Sequence, residues 1–285
     1  MRSIIFHHND ADGRCAAFII ARWIKWGVHI SKVVFVEMDY KDPVPVEIIE
    51  PEDWVAIVDF SFKPDVMAKI HKITSSVTWC DHHVTAKDYG YEGLPGVRDF
   101  SVKGKCGAEC AWSYSFGKLL YPPALRLLGD YDSWRMEEPQ ESLPFYEGLK
   151  LEETDPACEL SIWPKLLFDE DKECYTAKIT DNGRIAMRYR DNYCAKMSKG
   201  YGFETSIHGH KAFALNVYAM GNAGVPMEIR KNYPITIVYI HDGSVFTVSL
   251  YSEGVDVSEI AKVEGGGGHK EAAGFVCHNL PFKPE

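Results

Sequence analysis

The chain has 285 residues, of which 46% are hydrophobic and 25% charged. This is enough for two modest domains or one large one, and ample for a hydrophobic core. Its formal net charge of −10 argues against the basic surface with which proteins bind long duplex nucleic acid. No apolar run is long enough for a membrane helix, and the N-terminal MRSIIFHHND turns polar too early for a signal peptide. The cysteines include no CxxC pair, which predicts reduced thiols in the cytoplasm.

The first part of the chain alternates strand-like and helix-like segments. Strands are predicted over residues 3–6, 32–38, 54–60 and 76–80, and helices over 15–26 and 64–73. Continuous apolar strands that are separated by helices of ten or more residues indicate a parallel sheet covered on both faces. The predicted fold class of this part is therefore α/β, with a mainly parallel sheet flanked by helices.

The remaining segments predict a helical region followed by a second sheet. Residues 106–135 have a helical pattern, 137–176 are irregular, and a long helix is predicted over 179–200 with an N-cap at Asp181 or Asn182. Strands follow at 210–218, 233–241 and 244–252, the last two joined by an Asp-Gly hairpin turn, and a short helix at 256–263. The sequence thus predicts a domain boundary near 180–200.

Acidic and imidazole side chains follow the ends of several predicted strands. His8, Asp59 and Asp81 all fall at carboxyl ends of strands in the first part of the chain. In open α/β sheets this edge carries the ligand site, because the carboxyl ends of parallel strands meet there. We therefore expect these side chains to converge.

The composition of this cluster indicates a metal site. In an extended stretch, residues two apart point the same way, so His8, Asp10 and Asp12 are expected to share one side of the chain. Carboxylates packed so closely would raise one another's pKa values, and divalent metal relieves that repulsion. Oxygen ligands with some imidazole and no thiolate favour Mn²⁺ or Mg²⁺ over structural zinc, and this many ligands suit two ions.

Four motifs carry a resemblance to a known family. HNDADG, IVDFS, CDHH and GGGGHKEAAGF, in this order and spacing, resemble the DHH phosphoesterase family with a C-terminal DHHA1 domain, which includes RecJ-type exonucleases, nanoRNases and cyclic-dinucleotide phosphodiesterases. The resemblance covers nearly the whole chain and is weakest across 137–200. It implies a DHH catalytic domain over 1–180, a connector helix over 181–202, and a smaller α/β DHHA1 domain that binds substrate over 203–285.

The resemblance implies two metal ions, with Mn²⁺ favoured and Mg²⁺ as the alternative. The first ion would be held by His8, Asp10 and Asp59, and the second by Asp12, Asp59, His82 and Asp130. Two positions have a rival, since Asp132 stands beside Asp130 in DYD and His7 stands beside His8. Both alternatives stay open from the sequence.

The resemblance also implies catalytic and substrate-binding residues. Asp81 would orient the adjacent histidines, and His83 would contact the scissile phosphate or protonate the leaving oxygen. Substrate would be bound by Gly266, Gly267, Gly268 and His269. The sequence departs from the family at Tyr251, where many relatives carry an arginine, so this tyrosine either stacks on a base or that contact is lost.

The expected function is hydrolysis of short oligonucleotides or linear dinucleotides to mononucleotides, of the 3′–5′ exoribonuclease or phosphodiesterase type, by metal-activated attack of water at phosphorus. Pyrophosphatase, exopolyphosphatase or nucleotide phosphomonoesterase activity is the alternative. A nucleotide-binding regulatory protein without turnover ranks last, because every ligand position is filled. The expected partner is a short nucleotide or other phosphoester, with neither membrane nor long duplex, and a homodimer is among the assemblies that the sequence allows.

Overall fold

Four parallel strands form the sheet of the N-terminal part of the chain. They are β1 (Arg2–His8), β2 (Lys32–Met38), β3 (Trp54–Val58) and β4 (Val77–Cys80), in the order β2-β1-β3-β4. The computed structural model describes residues 2–27, 32–91, 93–218 and 220–285. The predicted parallel sheet is confirmed, and the carboxyl ends of its strands lie at one edge.

Helices cover this sheet on both faces. They are α1 (Ala11–Gly27), α2 (Pro64–Ile73), α3 (Gly107–Phe116), α4 (Pro123–Asp132), α5 (Pro139–Leu149) and α6 (Trp163–Leu167). Alternate strand residues face two separate cores, with Ile5 and Cys80 in one and Ile4, Phe6 and Trp79 in the other. Because both faces are buried, the strands read as continuous apolar runs rather than as an alternating pattern.

The long helix begins earlier than predicted. α7 spans Lys172–Tyr201, so Asp181 and Asn182 lie inside the helix and the predicted N-cap is wrong. In the segment that precedes the predicted start, the side chain of Thr176 is buried and Tyr175 packs against the hydrophobic core. Packing of this first part of the helix against the core stabilises helix in a segment whose polar composition reads as irregular.

The chain divides into two compact units, residues 1–186 and 187–285, with the boundary inside α7. In the second unit the strands are β5 (Phe203–Ile207), β6 (His210–Asn216), β7 (Ile235–His241), β8 (Phe246–Tyr251), β9 (Gly267–Gly268) and β10 (Ala272–Cys277), and the helices are α8 (Met227–Arg230) and α9 (Val257–Val263). The sheet has the order β5-β6-β7-β8-β10-β9, in which only the β6–β7 pair is parallel. The smaller α/β architecture expected here is confirmed, whereas the roles assigned to 1–180, 181–202 and 203–285 stay predictions.

Among the described residues, no helix combines the length and the apolar composition that crossing a bilayer requires. The cytoplasmic location and the homodimer stay predictions.

Candidate metal centre

The end of β1 places one imidazole beside one carboxylate. Nδ1 of His8 lies 2.7 Å from Oδ2 of Asp10, whose other oxygen accepts the backbone N–H of Gly13 at 2.9 Å. Burial lowers the pKa of His8, but the hydrogen bond and charge of Asp10 outweigh it and the pKa is raised. His7 is buried elsewhere, with Nδ1 2.8 Å from the His8 carbonyl oxygen and its ring 6.4 Å from that of Phe35. The structure therefore places His8, not His7, in the cluster.

Asp12 reaches the cluster from the first turn of α1 and not from an extended stretch, which corrects the geometry expected from the sequence. Its two oxygens accept backbone N–H groups from the start of α3, from Gly107 at 2.6 Å and from Ala108 at 2.9 Å. N–H groups in the first turn of a helix have no partner within their own helix, so Asp12 satisfies two donors that α3 leaves unpaired. Gly13 makes the turn possible, since a Cβ there would lie 2.4 Å from the carbonyl oxygen of His8.

Asp59 follows β3 and lies at the centre of the cluster. Its φ of 50° is in the left-handed region, where aspartate is one of the tolerated residues. Both carboxylate oxygens are buried, and neither accepts a hydrogen bond from the described residues, although Nε2 of His82 lies 3.1 Å from Oδ1. Nδ1 of His8 lies 3.9 Å from Oδ2. Burial, and then the charge of Asp12, raises the pKa of Asp59 well above its usual range.

Asp81 lies just beyond β4 and contacts both histidines that follow it. Its Oδ1 accepts the backbone N–H of His82 at 2.8 Å and lies 2.8 Å from Nδ1 of His83. Its other oxygen accepts the hydroxyl of Ser61, and that hydroxyl oxygen accepts the indole N–H of Trp79 at 3.0 Å. Although burial alone would raise the pKa of Asp81, these bonds lower it. The arrangement has the geometry of the predicted orienting residue.

The structure contradicts Asp130 as a member of the cluster. Its Oδ1 accepts the backbone N–H of Glu137 at 2.7 Å, and its Oδ2 accepts that of Glu138 at 3.2 Å. Asp132 lies at the centre instead, with Oδ2 3.4 Å from Nε2 of His82. Both aspartates are on α4, and helical residues two apart point in nearly opposite directions, so only one of them can face the cluster. Burial, followed by the charge of Asp12, raises the pKa of Asp132 well above its usual range.

The converging side chains form three overlapping groups. In each group the candidate ligand atoms lie within 4.8 Å of one another, and the groups are His8, Asp10 and Asp59; Asp12, His82 and Asp132; and Asp59, His82 and His83. The first group has the residues that the resemblance implies for the first ion. The second group has Asp132 in place of the implied Asp130, and it lacks the implied Asp59. Crowded carboxylates with raised pKa values, a buried carboxylate without a donor, and imidazole nitrogens fit a divalent cation with oxygen and nitrogen ligands.

The glycine run lies in the second unit and has a packing role of its own. A Cβ at Gly266 or Gly268 would lie 2.1 Å or 2.5 Å from backbone atoms of β10, so only glycine allows this close pairing. Gly267 has open space at its Cβ position, and His269 is exposed. Tyr251 packs against a small hydrophobic cluster of the same unit. The substrate-binding role of residues 266–269 stays a prediction.

A buried ion pair that sequence reasoning missed joins α3 to the loop after α4. Arg135 donates to both oxygens of Glu109, at 2.8 Å and 2.9 Å, and Glu109 also accepts the backbone N–H of Cys106 at 3.0 Å. Gly129 leaves room for the pair, since a Cβ there would lie 2.5 Å from Cδ of Glu109. One feature of the sequence could have indicated the role of Glu109. In CGAE the glutamate stands three residues after the N-cap Cys106, where it can close a capping box.

Gly107, also missed, controls the space around Asp59. A Cβ at Gly107 would lie 2.4 Å from Cβ of Asp59 and 2.6 Å from its Oδ1. We therefore expect Gly107→Ala to displace Asp59, to destabilise the fold by about 1–3 kcal/mol, and to weaken binding of divalent metal. Calorimetric titration with Mn²⁺, together with thermal unfolding, measures both effects. Gly200→Ala in α7 is the matched control, because its Cβ position is open, and equal metal binding by both variants would contradict the prediction.

No family model matches this chain. The uncharacterized protein R106 of Acanthamoeba polyphaga mimivirus is 24% identical over 305 residues, an alignment that covers 98% of this chain and 69% of that protein.

Solved structures with a similar fold include DHH-domain proteins. The DHH domain of a member of the s1p family of ribosomal proteins aligns with a TM-score of 0.58 and 12% identity, covering 97% of this chain and 82% of that one. RecJ from Thermus thermophilus in complex with Mn²⁺ aligns with a TM-score of 0.51 and 18% identity, covering 97% of this chain and 49% of that one. A structure of exonuclease RecJ bound to manganese gives the same TM-score and identity, with 97% and 86% covered. The fold of this chain is that of the DHH-domain proteins.

Proposed function

We propose that this protein is a metal-dependent phosphoesterase that hydrolyses short oligonucleotides or linear dinucleotides to mononucleotides. The observation that carries the proposal is the carboxylate of Asp59, which is buried without a hydrogen-bond donor among the described residues. A buried charge of this kind is costly unless a cation compensates it. Both RecJ structures with a similar fold contain manganese, so Mn²⁺ is the first ion to test here.

The chain itself can position a substrate and supply a proton. Divalent cations held by the first two groups would neutralise phosphate charge and lower the pKa of the water that attacks phosphorus. Asp81 holds Nδ1 of His83, which leaves Nε2 to donate a proton to the leaving oxygen. Burial lowers the pKa of His83, but the hydrogen bond and charge of Asp81 outweigh it, so the pKa is raised and the proton-donating form is favoured. One phosphorus–oxygen bond then forms from water as the bond to the protonated leaving oxygen breaks.

A substrate panel tests the proposal. Purified protein with Mn²⁺ is incubated with a labelled dinucleotide, longer single strands, a cyclic dinucleotide and pyrophosphate. We expect mononucleotides from the linear dinucleotide and the shortest strands, and no product with Asp59→Asn. Phosphate release from pyrophosphate with the dinucleotide left intact would instead support the inorganic substrate class. Absence of any product from a protein with bound Mn²⁺ would support a binding protein without turnover.

Two stacked aromatic rings, those of Tyr40 and Phe60, lie beside the cluster and support a nucleotide as the substrate over an inorganic phosphate. The ring of Tyr40 stacks on Phe60, with centroids 4.5 Å apart and an angle of 22° between the planes. Its centroid lies 5.7 Å from that of His8 and 5.9 Å from that of His83. Tyr40 is 55% exposed, so part of its surface is open to a ligand. A nucleobase next to the scissile phosphate can stack on such a ring, whereas pyrophosphate has no group that can.

Tyr40→Ala should therefore weaken the use of a dinucleotide. Loss of one stacked base costs about 1–3 kcal/mol, so we expect KM for the dinucleotide to rise about 5- to 150-fold with Tyr40→Ala and to stay nearly unchanged with Tyr40→Phe. Steady-state kinetics with a dinucleotide and with its base-free analogue measure the effect. The base-free analogue should be hydrolysed equally well by all three proteins. An equal loss of activity on both substrates would instead indicate that Tyr40 supports the position of His8.

A further inference from the structure

A second concave site lies in the N-terminal unit, on the far part of α1. It is a cavity of about 410 Å³ whose lining includes three aromatic and three cationic side chains: Phe18, Phe35, Phe168, Arg22, Lys25 and Lys165. Arg22 follows Asp12 by ten residues on the same helix, about 15 Å along its axis. The cavity is therefore separate from the candidate metal centre, whose residues do not line it.

Among the described residues, the cations of this cavity have no carboxylate partner. Neither Arg22, Lys25 nor Lys165 forms an ion pair with any residue that the structure describes. The guanidinium carbon of Arg22 lies 4.6 Å from the ring centroid of Trp26 and 5.7 Å from that of Phe168, and stacking of this kind leaves the N–H edges of a guanidinium free to donate. Nζ of Lys165 lies 5.7 Å from the ring centroid of Tyr175.

The cavity contrasts with the protein as a whole. One carboxylate, that of Asp169, lies on its wall and accepts the backbone N–H of Asp171 at 2.9 Å. Three cations against one carboxylate leave the cavity positive in a chain whose net charge is −10. Concave sites that combine apolar rings with a few convergent polar groups are the usual form of small-molecule sites.

We propose that this cavity binds a small anion with an aromatic body, of the nucleoside monophosphate class, independently of the metal centre. The phenylalanine rings contact the planar base, and the cations contact the phosphate, for which the fork of Arg22 offers paired N–H donors. The proposal does not rest on the hydrolytic activity, since none of the residues that carry it belongs to the metal centre.

The test is calorimetric titration of the whole chain with AMP and GMP in the presence of EDTA, which keeps divalent cations from the metal centre. We expect saturable binding by the unchanged protein, and binding weakened about tenfold or more by Arg22→Gln or Lys165→Gln, the loss expected for a charge-assisted hydrogen bond. Lys69→Gln, a neutralised exposed lysine on α2, and Asp59→Asn should both bind as the unchanged protein does.

Two comparison ligands make the result decisive. Adenosine lacks the phosphate and inorganic phosphate lacks the base, so each should bind about tenfold or more weakly than AMP. Absence of AMP binding, equal binding of adenosine or of phosphate, or equal binding by the Arg22→Gln and Lys165→Gln variants would overturn the proposal. Thermal unfolding without ligand tests whether each variant is folded. Because Lys165 is exposed, Lys165→Gln is the variant that should disturb the fold least.

Discussion

Asp59→Asn is expected to abolish hydrolysis and to remove the stabilisation that divalent metal gives the protein. Two of the three ligand groups contain Asp59, which among the described residues is the one carboxylate that two groups share, so its loss disturbs both. Asparagine tolerates the left-handed backbone that this position adopts, at a φ of 50°, and the substitution therefore changes the charge while keeping the fold. A ligand present at one hundred times its dissociation constant stabilises a protein by about 2.7 kcal/mol, and the variant should lose most of that gain.

The same substitution should have the opposite effect on the metal-free protein. The Asp59 carboxylate is buried without a donor among the described residues, and its raised pKa means that ionising it destabilises the fold. Asparagine carries no charge to bury, so in EDTA at neutral pH the free energy of unfolding of the variant should exceed that of the unchanged protein by on the order of 1–3 kcal/mol. The variant should therefore unfold at a higher temperature. Thermal unfolding with and without Mn²⁺ measures both effects in one experiment: the gain of stability without metal and the loss of the stabilisation that metal gives.

Asp53→Asn is the matched control, because it changes the same pair of residue types at a carboxylate that has its partners. Asp53 accepts Nε of Arg2 at 3.0 Å, Nη2 at 2.6 Å and the backbone N–H of Glu50 at 2.8 Å. This variant should lose stability equally with and without Mn²⁺ and should keep its activity. A metal response by Asp59→Asn equal to that of the unchanged protein would refute the role given to Asp59.

The parts of the site that lie at strand ends could be predicted from the sequence. His8, Asp59 and His82 stand directly after or near apolar runs, and parallel strands bring their carboxyl ends to one edge whatever the packing above them. The same reasoning predicted the parallel sheet itself. This reasoning succeeds because the hydrophobic pattern of a strand or a helix is visible in a short stretch of sequence. It needs no knowledge of contacts between residues far apart in the chain.

The parts that depend on tertiary packing could not be predicted in this way. The choice between Asp130 and Asp132 depends on which face of α4 is turned to the cluster, and the DYD segment does not display that. The early start of α7 depends on burial of Thr176 and on packing of Tyr175 against the core. The proximity of Gly107 to Asp59 and of Tyr40 to His8 arises from contacts between elements far apart in the chain, for which the sequence contains no local pattern.

The two aspartates of α4 should give opposite results when each is changed to asparagine. Asp132 lies with Oδ2 3.4 Å from Nε2 of His82, in one of the three candidate ligand groups, and its crowded surroundings raise its pKa. Loss of a metal ligand removes several kcal/mol of transition-state stabilisation, so Asp132→Asn should lower kcat/KM by about a hundredfold or more while leaving the fold intact. Its metal affinity should fall as well.

Asp130 instead stabilises the loop after α4, where its two oxygens accept the backbone N–H groups of Glu137 and Glu138 at 2.7 Å and 3.2 Å. Hydrogen bonds to a charged group contribute about 1.5–3 kcal/mol each, so Asp130→Asn should lower the free energy of unfolding by a similar amount, because an amide retains only one acceptor oxygen. Calorimetric Mn²⁺ titration, kinetics at a temperature where the variant is folded, and denaturant unfolding separate the two roles. Loss of Mn²⁺ affinity in folded Asp130→Asn, with affinity retained in Asp132→Asn, would return the ligand position to Asp130 and contradict the geometry of α4.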